Sequence, residues 1–365
     1  MLKLRKKQGV IFMRNENLID THMHIEAWEN EEFDFIDCFE RHREVSDLRS
    51  LNICVVPTKQ RNFCNNIMCA LYKLAHPNTY IHGGFDHMIY PITEDMPKGM
   101  DLITQYREMM EIGFDGIKLI EGKPIVLKGL GNDLNHPALD RLYTEMEKDG
   151  THIVFHINDP IDCWDRSKAS QEFIDKGWFY GDGTHVTYEE AYEQALKLLE
   201  NHPLLNVTLA HFFFCGDTPQ RVEALFKKYP NLCVDLTPGC EMYHSFERMH
   251  DYYRDFFQKY STRVLLGTDG TFPWLSKCHE WCIDILSRFI ATEDKMMAFD
   301  DSILTGLGIG GEAKENMFYK NFERRVGKQP KPINKEALKR YIDKHWQLLS
   351  KDEQEHLTPY IEKYI

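Results

Sequence analysis

Short apolar, β-branched runs recur along this chain with a regular beat, and amphipathic stretches lie between them. The runs cover residues 19–24, 52–58, 80–85, 116–120, 152–157, 206–212, 232–236 and 264–267, eight in all. Several are nearly all apolar, as strands buried on both faces are. Between them the period changes. Residues 100–112 place Leu102, Ile103, Tyr106, Met109 and Met110 at helical spacing, and 137–149 do the same with Leu139, Leu142, Tyr143 and Met146. The stretch 188–201 follows Thr187 and opens with Glu189 and Glu190, an N-cap with an acidic first turn. The stretch 218–229 opens Thr218-Pro219, a cap followed by Pro at the first helical position.

Strands alternating with helices imply a parallel sheet with right-handed crossovers. Eight such units close into a barrel, so the expected fold is α/β, a (β/α)8 TIM barrel. An open doubly wound sheet is the second reading, and it lacks the Gly-rich phosphate loop after its first strand. The segment 158–187 is long for a connection and rich in Asp, Gly and aromatics, among them Trp164 and Trp178. Loops of that length in compact domains are functional or disordered, and aromatic content argues for order. The two Trp residues either lid the pocket or anchor the loop. After Asn316 the pattern changes, and 337–349 and 353–365 read as helices forming a C-terminal extension. The expected organisation is an N-terminal appendage over 1–17, a barrel over 18–322, and C-terminal helices over 323–365 packed on the barrel or at a dimer interface.

The composition narrows the class. The chain has 365 residues, 42% of them apolar and 28% charged, which is ordinary for a globular protein. A formal charge of −13 argues against sequence-independent nucleic-acid binding, which needs a basic surface. No apolar run approaches the ~18 residues of a membrane span. The basic start ends in the short run 9–13, too short for the core of a signal peptide. Ten scattered Cys form no paired framework. A cytoplasmic protein acting on a small molecule, with no nucleic-acid or membrane partner, is expected. Cys278 and Cys282 would share a helix face, but no second Cys/His pair completes a zinc site, and two core thiols are the simpler reading.

His22 and His24 stand two apart at the end of the first run, so both imidazoles face one side of a strand. In a parallel barrel, chemistry sits at the C-terminal ends of strands. There the first strand has His22 and His24, the fifth His156, the sixth His211 and the eighth Asp269, while the fourth carries Lys118 along its length. Each alone has a bland reading. A His after an apolar run is commonly a hydrogen-bonded polar terminus, and Asp269-Gly270 is a common turn. Five coincidences on four strands favour a shared metal site. Imidazole and carboxylate suit Zn²⁺, Mn²⁺ or Fe²⁺. Such ligands with one open position lower the pKa of a bound water toward ~7, and a nearby His then moves protons.

These residues resemble the amidohydrolase superfamily, in particular its amidohydrolase-2 branch with the aminocarboxymuconate-semialdehyde decarboxylase-like enzymes. The matching pieces are Ile19-Asp20-Thr21-His22-Met23-His24, Phe155-His156, Leu209-Ala210-His211, Tyr229 through Leu236, Leu266-Gly267-Thr268-Asp269 and Glu315-Asn316-Met317-Phe318, in order over about residues 18–322. The resemblance implies a divalent metal, zinc first and manganese or iron next, held by His22, His24, His156 and Asp269. It implies that His211 is the catalytic acid or base, with Asp269 taking the proton of water, and it raises a homodimer as the assembly. The chain departs from the branch at Phe212-Phe213-Phe214, which would set an apolar wall where relatives have a Gly-rich turn. The strand-eight variant Gly270-Thr271-Phe272-Pro273 is compatible. Lys118 is left with three readings: a carboxylated lysine bridging two metals, a contact for a substrate anion, or a structural ion pair. Trp164 is a candidate substrate contact. The expected function is metal-dependent hydrolysis. Non-oxidative decarboxylation of an aromatic or unsaturated acid is the alternative, and a non-catalytic metal-binding barrel is the third reading.

Overall fold

The computed structural model describes residues 17–25, 34–57, 61–87, 101–238, 240–272, 279–298 and 302–365. The expected N-terminal appendage, Cys278 and Pro273 lie outside them, apart from the appendage's last residue, Asn17.

Every apolar run holds a strand: β1 Ile19–Ile25, β2 Ser50–Cys54, β3 Thr79–Gly83, β4 Gly116–Gly122, β5 His152–Ile157, β6 Val207–Leu209, β7 Cys233–Asp235 and β8 Val264–Leu265. A further short strand, β9 Gly270–Phe272, continues β8 after a break. All pair in parallel in the order β8-β7-β6-β5-β4-β3-β2-β1-β9. The two ends of that order are halves of one strand, so the sheet closes on itself. Leu236 N–H donates to Leu265 O on one side at 3.0 Å. On the other side Thr21 N–H donates to Leu266 O at 3.0 Å and Asp269 N–H to His22 O at 2.9 Å. The break falls at Asp269, whose φ is 53°. The result is an eight-stranded α/β barrel with helices in the crossovers.

The helices follow their local signals. Pro137–Asp149 and Tyr188–Asn201 match their expected bounds, and Thr187 with Glu190 forms a complete capping box. Leu102–Ile112 ends on Gly113 at φ +106°, a left-handed C-cap that only Gly adopts freely. Pro332 O lies against that glycine's bare Cα, and Asn334 N–H donates to Ile112 O at 2.8 Å. The C-terminal extension is thereby seated where the helix stops. Its helices Lys335–His345 and Lys351–Tyr364 pack over Leu102–Ile112 and Asn62–Ala75.

The barrel interior is not wholly apolar. A hydrogen-bonded chain crosses it: Asn52 Oδ1 to His82 Nδ1 at 2.7 Å, His82 Nε2 to His152 Nδ1 at 2.8 Å, and His152 Nε2 to Thr208 Oγ1 at 2.9 Å. Asn52 also donates to Thr21 O, which fixes its oxygen toward His82. Both rings are buried and neutral, and burial pushes the His152 pKa down to about 3. Phe322 packs against both rings and closes the floor.

One element departs from its sequence expectation. The sixth strand was expected to reach residue 212, but β6 stops at Leu209. His211, Phe212, Phe213 and Phe214 take φ of 55, 52, 55 and 51°, four consecutive left-handed residues. The cause is tertiary. Phe212 turns outward into a cluster with Phe246, Tyr253, Phe256 and Phe257, and Phe213 packs on Tyr192. Burying the two rings contributes about 1.5–3 kcal/mol each and offsets part of a strain of about 1–3 kcal/mol for each left-handed residue.

Candidate metal centre

The C-terminal halves of β1 and β5 and the turns after β6 and β8, with Lys118 from within β4, bring the expected residues to one mouth of the barrel. His22, His24 and Asp269 each offer a ligand atom, and these atoms lie within 4.8 Å of one another. His22 and His24 share the strand face that their spacing predicted, with ring centroids 5.0 Å apart. The His211 ring lies 5.7 Å from that of His22 and 4.9 Å from that of His156.

Hydrogen bonds on the far nitrogens fix the tautomers. His24 Nδ1 lies 2.6 Å from Cys54 O, which can only accept, so Nδ1 carries the proton. His22 Nδ1 lies 3.0 Å from Asp235 Oδ2, a buried carboxylate, so it too donates. Both rings therefore turn a bare Nε2 toward the centre. Asp269 Oδ1 lies 3.1 Å from His24 Nε2 and 3.7 Å from His22 Nε2. His22 Nε2 also faces Lys118 Nζ at 2.8 Å, while a neutral His24 sets its Nε2 against the Asp269 carboxylate, acceptor against acceptor, an arrangement that calls for a cation. Burial, with Lys118 adding to it, pushes the His22 pKa down to about 4, so that ring stays neutral near pH 7. The donor set fits a divalent metal: two imidazole nitrogens with oxygen-anchored far sides and one carboxylate that is 36% exposed toward the opening.

Burial opposes ionisation of Asp269, but His211, His24 and His22 outweigh it and hold the carboxyl well below its usual range. Asp235 shows the same balance: burial raises its pKa, while His22 and the hydrogen bonds around it lower it further. Its Oδ1 accepts from His211 N–H at 2.8 Å, from Thr237 N–H at 3.2 Å and from the Thr237 hydroxyl. One buried carboxylate thus orients His22 and pins the backbone of His211. In the sequence Asp235 stands within the matching piece Tyr229 through Leu236. Its signal was a charge inside the apolar run 232–236, at the end of strand seven.

His156 lies beside the triad but outside its tight group. Its Nε2 faces Asp159 Oδ1 at 3.2 Å, leaving Nδ1 for the pocket. Burial first and Lys123 next push its pKa down to about 3. Lys118 is buried, with Nζ 2.8 Å from His22 Nε2. Among the described residues no carboxylate pairs with that ammonium within 4.0 Å; burial lowers its pKa, and the charges of Asp269 and Asp235 act against that. The Phe run does not wall the site as expected. Only Phe214 faces it, 5.2 Å from the His211 ring and 5.4 Å from that of His156. Trp164 stays with its own loop: the indole N–H donates to Val186 O at 2.9 Å, and the ring packs on Tyr180 and Tyr188. Glu241, on the neighbouring helix Cys240–Arg248, has a pKa pushed up to about 7 by burial and then by the charge of Asp159. Asn158, His211 and Asp269 all take positive φ directly at strand ends, and such strain clusters at functional sites.

No family model matches this chain, and no curated protein matches it in sequence. Solved structures match it in fold. One is a probable 2-pyrone-4,6-dicarboxylic acid hydrolase from Acinetobacter baumannii with citric acid bound, at 12% identity and a TM-score of 0.52, covering 85% of this chain and 99% of that one. A candidate amidohydrolase from Staphylococcus aureus is 14% identical with a TM-score of 0.53, over 85% and 99% of the two chains. A 2,6-dihydroxybenzoate decarboxylase complexed with 2,6-dihydroxybenzoate is 13% identical with a TM-score of 0.52, over 86% and 99%. The likeness is one of fold, and these neighbours are hydrolases and decarboxylases of the kind the sequence resemblance implies.

Proposed function

We propose that this chain is a metal-dependent enzyme of the amidohydrolase type, acting as a hydrolase on a small organic substrate. The observation that carries the reading is the convergence of ligand atoms of His22, His24 and Asp269 within 4.8 Å of one another, a donor set that suits a divalent cation. His22, His24 and Asp269 would hold the metal, with His156 Nδ1 as a fourth ligand; zinc is the first candidate, with manganese or iron next. A divalent metal there supplies a polarised water and a Lewis acid for the substrate carbonyl.

The chain's own groups do the rest. Asp269 is ionised and 36% exposed, placed to take a proton from water. His211, held through its backbone by Asp235, faces the same space and moves a proton to or from substrate. Lys118 adds a buried positive charge beside His22, placed to meet a substrate anion or, if carboxylated, to bridge a second metal. We place the protein in the cytoplasm: Cys38, Cys54, Cys64, Cys69, Cys163, Cys215 and Cys233 are buried thiols outside any disulfide. Among the described residues no helix is long and apolar enough to cross a membrane.

A second reading, non-oxidative decarboxylation of an aromatic or unsaturated acid, is kept because Phe214 offers a ring face between His156 and His211. The two readings use the same residues and differ in product. Assay of a panel of lactones and amides for hydrolysis, and of aromatic acids for CO₂ release, separates them. CO₂ release without hydrolysis overturns the hydrolase reading. Neither product from zinc-loaded protein across a broad panel speaks for a non-catalytic barrel.

A further inference from the structure

Asp159 follows β5 and is almost wholly buried, with 3% of its surface exposed. It has more partners than a structural carboxylate at a loop start needs. Oδ1 accepts from Lys123 Nζ at 2.6 Å and faces His156 Nε2 at 3.2 Å, and Oδ2 accepts from the Tyr180 hydroxyl at 2.6 Å. Lys123 follows β4 and carries the ring of Trp178 4.2 Å from its ammonium. Tyr180 and Trp178 belong to the far arm of the long loop 158–187. That arm is fastened to the near arm through Tyr180 N–H to Cys163 O at 2.8 Å. The loop thus reaches the mouth of the barrel through Asp159 and through Trp178 on Lys123, and Asp159 touches His156.

The three imidazoles proposed as ligands share one design. His22 is held through its far nitrogen by Asp235, His24 by Cys54 O, and His156 by Asp159. The first two anchors lie on strands of the barrel, whereas the third depends on the loop.

We propose that Asp159 is a positioning residue that couples the loop 158–187 to the metal centre, so that filling the site and ordering the loop are one equilibrium. This rests on the metal reading above. An oxygen anchor on the far nitrogen sets which nitrogen is bare and how the ring is aimed. Tyr180 and Lys123 aim the anchor. Coupling is reciprocal: whatever stabilises the loop arm tightens the metal, and the metal steadies the loop arm by the same factor.

The test is zinc titration of the full chain against a competing chelator, with amide hydrogen exchange over 160–187 measured with and without zinc. The unaltered protein, Asp159→Ala and Tyr180→Phe are compared, and circular dichroism checks that each is folded. Asp159→Ala is expected to weaken zinc binding about 10- to 100-fold, the usual range for a lost outer partner. Tyr180→Phe leaves the carboxylate in place and is expected to weaken it by a smaller factor. Zinc should slow exchange in the loop of the unaltered protein and not in Asp159→Ala. Unaltered zinc affinity in both variants, or loop exchange indifferent to zinc, overturns the coupling and leaves the metal centre standing. If the unaltered protein binds no zinc, the metal reading itself is overturned, and the coupling with it. A folding defect in Asp159→Ala moves the decision to Tyr180→Phe, whose wild-type affinity and exchange would also overturn the proposal.

Discussion

Asp235→Asn separates the tautomer argument from mere packing. Oδ1 of Asp235 accepts three donors, from His211 N, Thr237 N and the Thr237 hydroxyl. An asparagine must keep its oxygen at that position, which turns its NH₂ toward His22 Nδ1. Two donors then face each other unless the His22 proton moves to Nε2. That move removes the lone pair on which the metal depends. Zinc affinity should fall about 10- to 100-fold, or about 1.4–2.7 kcal/mol. The metal-free protein should lose about 1.5–3 kcal/mol of stability with the charge-assisted bond. Competition with a chelator reads the first quantity and urea unfolding the second. A variant that is less stable yet binds zinc as the unaltered protein does would refute the assignment of His22 Nε2 as a ligand.

Asp269→Asn keeps an oxygen at the mouth but cannot take a proton, so turnover of a confirmed substrate should drop at least about 10²-fold; activity that survives with metal still bound would end that role. Phe212→Ala should cost about 3–5 kcal/mol in urea unfolding, because its ring fills the outer aromatic cluster. Phe214→Ala, half-buried at the site, should cost far less while altering KM, and equal destabilisation by both would contradict the left-handed turn. The pH dependence of the metal-free protein follows from buried neutral histidines. His22 is depressed to about 4 and His152 to about 3, from an ordinary 6.5. The unfolded chain then binds more protons than the native one between those values. Stability is full above pH 6.5 and falls as the pH drops toward 4, by about 1.4 kcal/mol per pH unit for each such group. Replacing His152 by Gln should flatten that slope, and an unchanged slope would remove the floor histidines from the account.

The sequence carried the barrel because each strand is a short apolar run and each crossover has its own caps. Pro137–Asp149 and Tyr188–Asn201 begin and end on local signals, so no tertiary knowledge was needed to bound them. The pairing of His22 with His24 was equally local, a consequence of the two-residue strand period. What the sequence hid depends on long-range partners. The turn at His211 reverses handedness because Phe212 finds four aromatic neighbours from later helices. Nothing in 206–212 distinguishes it from a longer strand. Asp235 and Asp159 are ordinary acidic residues until the fold puts His22 and His156 against them. Lys118 was legible as a residue of the fourth strand, but its place against His22, with no carboxylate pairing it among the described residues, belongs to the assembled mouth of the barrel.

The central claim is that His22, His24 and Asp269 hold a metal ion. Crystals of zinc-loaded protein, measured on both sides of the zinc absorption edge, test it directly. The account predicts an anomalous peak bounded by Nε2 of His22, Nε2 of His24 and the Asp269 carboxylate, with His156 Nδ1 turned toward it. A protein that takes up no zinc, or a peak only at sites away from these three residues, would contradict it.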